Sequence, residues 1–385
     1  MSSRNFSLRL SLFNAVLFLG SGIQLPFLPL WLKDKGLTDP QIALIVAMTM
    51  AVRIIAIPMG TFAADLTQRR RPVIIACAIG TFLAYTLLHF MSGFWPILIA
   101  TMLAAALLAP VVPLSEVLAV EGSARFGLDY GRIRLWASLS FLTGSVVAGA
   151  LLEVMPVGSV ILLIAGAQGL GALFALLLPQ DAAVRPVKHA PIRLGPLLAV
   201  VSTLPFVLFL LAAGLGQASH GFLYAFGSVH FVDLGYSTFT IGKLWAVGVL
   251  VEVLMFAFSN RFYRAFGSIG LIMAGTGIAA LRWTAMGLEP PLAIMFAVQS
   301  LHAGSFAFTH LGTMHFIRER VPENMRNTAQ GLFAVLSSGV MLSSTMWASG
   351  QLYGALGGGA YFVMAAYAVV AFVLAAILKS VSPRG

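Results

Sequence analysis

Five ionisable side chains stand in or at the edge of long apolar runs. They are Arg53 in AMTMAVRIIAIPMG, Glu116 in APVVPLSEVLAV, Arg134 at the start of the next run, Glu252 in AVGVLVEVLMFAF and Arg282 in GIAALRWTAMG. A charge near the centre of a bilayer costs about 2.5 to 3.5 kcal/mol on insertion scales, so such residues stay only where they pair or act on a solute or proton. As a set they favour transport, because helices that merely associate do so with small residues and amides. The guanidinium of Arg53 offers a planar fork that matches a carboxylate and stays charged, which makes it the candidate for an anionic substrate; a salt bridge to another acidic group is the alternative. A buried Glu takes up or releases a proton according to its surroundings, so Glu252 is the leading proton carrier and Glu116 the second. His220 and Tyr224, four apart in GQASHGFLYAF, share a helix face as polar lining, with Gln24 in GIQLPFLPLW. Trp136 and Phe141 offer rings on which an aromatic solute could stack. His302 with Gln299 is expected to hydrogen-bond across helices, and His310 and His315 to lie near the inner surface. No His pair has a metal-site context, the single Cys77 permits no intramolecular disulfide, and no phosphate-binding glycine loop, HExxH or Gly-x-Ser-x-Gly is present. Neither an enzyme nor a cofactor is expected.

These residues must be carried by elements that live in lipid. Of 385 residues 59% are hydrophobic and 9% charged, with a mean hydropathy of +0.94, which excludes a water-soluble fold. Twelve runs are long enough to span: 8–31, 41–64, 73–91, 94–120, 132–153, 158–178, 203–231, 238–259, 267–287, 291–316, 326–351 and 359–379. The first is too long for a signal-peptide core and is read as uncleaved. Of 23 Lys and Arg, 18 fall on one side, Lys33, Lys35 and Lys243 on the other, and Arg53 and Arg282 within spans. Positive loops stay in the cytoplasm, so both termini are expected there. The net charge of +10 is therefore a topology signal and not a nucleic-acid footprint. The polar stretch DAAVRPVKHAPIRLG reads as a cytoplasmic linker between halves of six spans. A faint repeat at an offset near 199 places Glu252 on Arg53. Pro26, Pro29, Pro58, Pro110 and Pro113 interrupt spans and free backbone groups that need water or protein around them.

The twelve spans, the linker and the loop TFAADLTQRRRP resemble the major facilitator superfamily, whose loop carries a Gly, an Asp four later and then basic residues. Asp65, Arg69 and Arg70 match its acidic and basic positions, which implies a role in conformational gating, whereas Thr61 holds the Gly place, Gly60 comes one residue early and Gln68 departs again. The segments LDYGRIRLWASLSF, LWAVGVLVEVLMFAFSNRFYR and LHAGSFAFTHLGTMHFI are similar to the phenylpropionate permease group of that superfamily. The lactose permeases are a more distant branch, in which an acidic residue 18 places before the second Arg of a GRAR segment joins that Arg at the substrate. Glu116 and Arg134 hold this spacing, with a structural ion pair as the alternative. Their proton machinery has counterparts by span in Glu252, Arg282 and His302, but Ser305 stands where a further Glu would be.

The expected fold is all-α: twelve transmembrane helices in two six-helix bundles around a central cavity, 1–180 and 200–385, joined by the linker 181–199. The expected function is proton-coupled symport of a small aromatic carboxylate by alternating access. Substrate contacts fall to Arg53, Glu116, Arg134, Trp136, Gln24, His220 and Tyr224. A sugar or nucleoside symporter and a drug exporter are the alternatives on the same fold, and a membrane receptor without transport is the alternative from another class. The expected partners are the solute, protons and the lipid of a bacterial inner membrane, with the monomer as the working unit.

Overall fold

The computed structural model describes residues 3–128, 130–179 and 200–382. The linker 181–199 with Arg185, Lys188 and Arg193, and also Arg384, lies outside the described residues, as do the side chains of Arg4 and Arg132.

Described residues form helices and no strand. Eleven stretches are long and apolar enough to cross a membrane: Asn5–Asp34, Asp39–Thr67, Arg70–Leu88, Phe94–Phe126, Ile133–Leu151, Val157–Leu176, Leu204–Asp233, Thr238–Ala257, Ser259–Gly287, Leu292–Arg320 and Glu323–Val381. The last is 59 residues, about twice what a bilayer accommodates even with tilt. It divides at Gly357, whose positive φ of 53° stops one helix before a short turn over Gly357–Gly359 starts the next. Residues 323–356 and Ala360–Val381 are thus two spans, giving twelve. The outward faces are apolar where a soluble protein would be polar: Ile55, Met59, Phe62 and Leu66, three to four apart on the second span, are each more than 60% exposed. That spacing makes one stripe, and lipid is the solvent it suits.

The ends and breaks of the helices follow from local chemistry. The first span stops where Gly36 takes φ 76° and the Leu37 N–H reaches back to Leu32 O, a glycine C-cap. The second begins with Thr38 N–H donating to Gln41 Oε1. It is interrupted at Val52, immediately before Arg53, six residues ahead of Pro58. The fourth breaks at Ala109–Pro110, and a Cβ at Gly60 would run into the Pro110 ring, so the glycine seen in the sequence one place early is a packing requirement. The ninth kinks at Gly267 (φ 65°, ψ 175°). The tenth and eleventh widen into π-helical turns over Ala303–Phe308 and Val335–Leu342, a feature frequent at functional sites.

Contacts group the chain into two units, Met1–Val187 with Phe231–Ala246, and Lys188–His230 with Val247–Gly385. In the first, Phe6, Phe13, Leu17, Val111, Leu114 and Ala175 belong to one buried core. Phe231–Ala246 joins this unit through close approaches: Thr238 Oγ1 donates to Gly149 O at 2.8 Å, and a Cβ at Gly242 would meet Ser145 O. Lys33 pairs with Asp233 at 3.8 Å. In the second unit the core includes Phe209, stacked on Phe316 at 4.2 Å, with Ile272, Ala375 and Leu378.

Candidate functional site

The second unit buries a polar chain. Arg282, on the ninth span, is 0% exposed, and a guanidinium carries five donors in a rigid fork. One terminal nitrogen approaches His302 Nδ1 at 3.1 Å and Ser305 Oγ at 3.4 Å, and the other donates to Gln299 Oε1 at 2.7 Å. Its Nε is buried without a hydrogen-bond partner among the described residues. The charge also lies 4.3 Å from the Trp283 ring centroid, and the Trp283 indole N–H donates to Ser219 Oγ at 2.9 Å. Gln299, His302 and Ser305 are three apart on the tenth span, which stacks them on one face. The π turn at Ala303 widens the helix just after His302.

Donor logic assigns the His302 tautomer. Arg282 only donates, so Nδ1 accepts and the ring proton sits on Nε2, which faces Glu252 Oε2 at 3.4 Å. Glu252 on the eighth span and Arg282 on the ninth are thereby joined through one imidazole of the tenth, and the ion pair balances charge across it. His220, 0% exposed, extends the chain: Nε2 lies 3.3 Å from Ser305 Oγ and Nδ1 3.2 Å from Gly216 O. The half-buried Tyr224 lies beside it, with ring centroids 5.9 Å apart. The structure therefore brings together Glu252, Arg282, His302, His220 and Tyr224.

The first unit carries a different arrangement. Arg134 Nε lies 3.3 Å from Glu116 Oε1, both side chains about 40% exposed, and its guanidinium sits 4.7 Å from the Phe18 ring centroid. Arg53, where the second span breaks, is half-buried. Its Nε is buried with no hydrogen-bond partner, and it enters no ion pair among the described residues. Gln24 is half-buried on the first span. Trp136 is 51% exposed and lines a cleft of about 630 Å³ with Ser7, Ser11 and Leu12.

Of the loop residues, Arg70 forks onto Glu121 of the fourth span at 2.7 and 3.0 Å. Asp65 and Arg69 are exposed. Gln68 takes a left-handed turn (φ 53°) and its amide donates to Asp65 O at 2.7 Å. Glu121, Phe18, Trp283 and Ser219 are partners that the sequence reading missed. The three-residue spacing of Gln299, His302 and Ser305 was visible there; contacts between distant helices were not.

A family model described as MFS_1 like family matches residues 7–364. The probable 3-phenylpropionic acid transporter of Escherichia coli (strain K12) is 30% identical over 366 residues, 93% of this chain and 94% of that protein. Among solved structures, the nucleoside transporter NupG superposes with a TM-score of 0.85 at 16% identity, over 98% of this chain and 100% of that one. A D-xylose-proton symporter superposes with a TM-score of 0.73 at 14% identity, over 98% of both chains. The two structural likenesses carry the fold.

Proposed function

This chain belongs to the MFS_1 like family, a secondary transporter of the major facilitator fold, and on that premise we propose that it moves a small aromatic carboxylate together with protons. The observation that carries the proposal is the buried chain Glu252–His302–Arg282. With Glu252 ionised, Arg282 is balanced through His302. A proton arriving on Glu252 leaves the guanidinium uncompensated in a low-dielectric site, which raises its attraction for an anion; an anion in turn favours proton arrival. That reciprocity is what a symporter of acids needs. Arg53, with no carboxylate paired to it among the described residues, is the proposed anion holder in the first unit. Glu116 with Arg134, and Gln24, His220, Tyr224 and Trp136, are the proposed polar and aromatic contacts. Asp65, Arg69 and Arg70 are the proposed gating residues. The named substrate of the E. coli relative supports an aromatic acid.

The proposal includes alternating access by bundles 1–180 and 200–385 about the linker 181–199, action as a monomer, and residence in a bacterial inner membrane with both termini in the cytoplasm. Proteoliposomes with acid outside test it. Labelled 3-phenylpropionate is expected to accumulate above equilibrium, to stop when the pH gradient is collapsed, and to lose affinity about 10- to 100-fold in Arg53→Ala, the loss of a charge-assisted fork. Accumulation of a nucleoside or sugar instead would overturn the substrate class. Binding without any uptake would favour a receptor.

A further inference from the structure

Among the described residues, every acceptor on the Arg282 guanidinium is a neutral group. His302 Nδ1 accepts at 3.1 Å, Ser305 Oγ stands at 3.4 Å, and Gln299 Oε1 takes the shortest of the three bonds at 2.7 Å. No carboxylate pairs with Arg282 directly there; Glu252 is joined to it only through the His302 ring. The other titratable groups around it are His220 and Tyr224 of the seventh span and Tyr361 of the twelfth. An imidazole and two phenols add no negative charge near neutral pH. The Gln299 amide is also fixed in orientation. Gln299 and Met286 of the ninth span are both buried, and Gln299 Nε2–H donates to Met286 Sδ at 3.9 Å. Turned over, the amide would set its NH2 against the guanidinium, donor against donor, and its oxygen against a thioether that cannot donate. Its oxygen is therefore held on Arg282, and that oxygen brings no charge.

We propose that Gln299 is a positioning residue for coupling, one that fixes Arg282 while leaving the guanidinium charge uncompensated when Glu252 takes its proton. This role rests on the coupling proposed above, in which that charge then attracts the anion. A buried guanidinium needs an acceptor for the nitrogens it presents, and a carboxylate would supply one more strongly than an amide. A carboxylate in direct contact would, however, hold its own charge beside the cation and balance it whatever the state of Glu252. Proton and anion would then no longer influence one another. An aliphatic side chain of similar size would keep the charge and lose the anchor. The amide anchors the fork and leaves its charge to the Glu252 proton.

The test is equilibrium binding of labelled 3-phenylpropionate to the purified full chain, in wild type, Gln299→Glu and Gln299→Leu. It is measured at about pH 6 and about pH 8, both above the usual carboxylate range, so that the ligand stays ionised. Wild type is expected to bind about tenfold more tightly at the lower pH. Gln299→Glu, which alters charge but hardly shape, should lose that gain and bind weakly at both pH values. Gln299→Leu should bind several-fold more weakly than wild type at both, with the gain at low pH kept, and it decides the matter if Gln299→Glu does not fold. A gain retained in Gln299→Glu, or wild-type affinity in Gln299→Leu, would overturn the role of Gln299 and leave the symport reading standing. Loss of the gain in both variants would make Gln299 a packing contact and overturn it as well. No gain in wild type would overturn the coupling itself, and the role of Gln299 with it.

Discussion

Arg282 and Arg53 both carry a guanidinium group in a membrane-spanning helix, and their surroundings differ. Arg282 is held by an imidazole, an amide, a hydroxyl and an indole face, with Glu252 one residue removed. Truncating it would strand Glu252 and the polar atoms around it, a loss of about 3–5 kcal/mol by analogy with broken buried pairs. Arg53 has no such cage among the described residues, so its truncation should act on substrate affinity more than on stability. Glu252→Gln tests the coupling argument at the same scale. Its side-chain carbonyl still accepts from His302 Nε2–H, so the fold and downhill exchange of substrate should survive, whereas no proton can be carried. The expected outcome is loss of acid-driven accumulation, with counterflow of preloaded substrate retained. Acid-driven accumulation in Glu252→Gln would remove Glu252 from the proton path.

At the scale of elements, Gln68 shows a helix end that carries strain. A non-glycine residue in the left-handed region costs about 1–2 kcal/mol, and the amide bond to Asp65 O returns part of that. Gln68→Gly removes the strain while adding freedom to the unfolded chain, so the net gain should be about 0.5–1 kcal/mol, read as a rise in melting temperature in detergent. The Gly242 approach works in the opposite sense. Gly242→Leu places a side chain where Ser145 O lies, and uptake should fall severely with membrane insertion unchanged, measured as transport per inserted protein. How legible these elements were in the sequence depends on their physics. Span number and position follow from length and hydropathy, so the twelve runs could be read directly. The interruption before Arg53 and the π turns after His302 and Ala334 change hydrogen-bond register without changing hydropathy, and they leave no trace in that pattern. The resemblance to the lactose permeases points to Glu116 with Arg134, and the two side chains meet at 3.3 Å, an arrangement that a substrate site and a structural ion pair share. Arg70 was assigned to gating from its loop, but its partner, Glu121, sits 51 residues away, a pairing that only the packing of the third span on the fourth creates.

On the scale of the whole molecule, the charge distribution and the span count constrain one another. Twelve spans are an even number, so both ends of the chain share a side, and the heavy excess of Lys and Arg counted on that side supports the proposed cytoplasmic placement. The loop bearing Lys33 and Lys35 between the first two spans should then face outward, and the loops bearing Arg69 and Arg125 inward. The single cysteine makes this testable without further engineering of the background. Cys77 is half-buried in the third span beside the first unit's core, and Cys77→Ala removes one small apolar group, a change expected to cost about 1 kcal/mol or less. On that background Lys35→Cys should react with a membrane-impermeant maleimide added to intact cells. Arg69→Cys and Arg125→Cys should react only after permeabilisation. The reverse pattern would invert the molecule in the membrane and, with it, the proposed direction of symport.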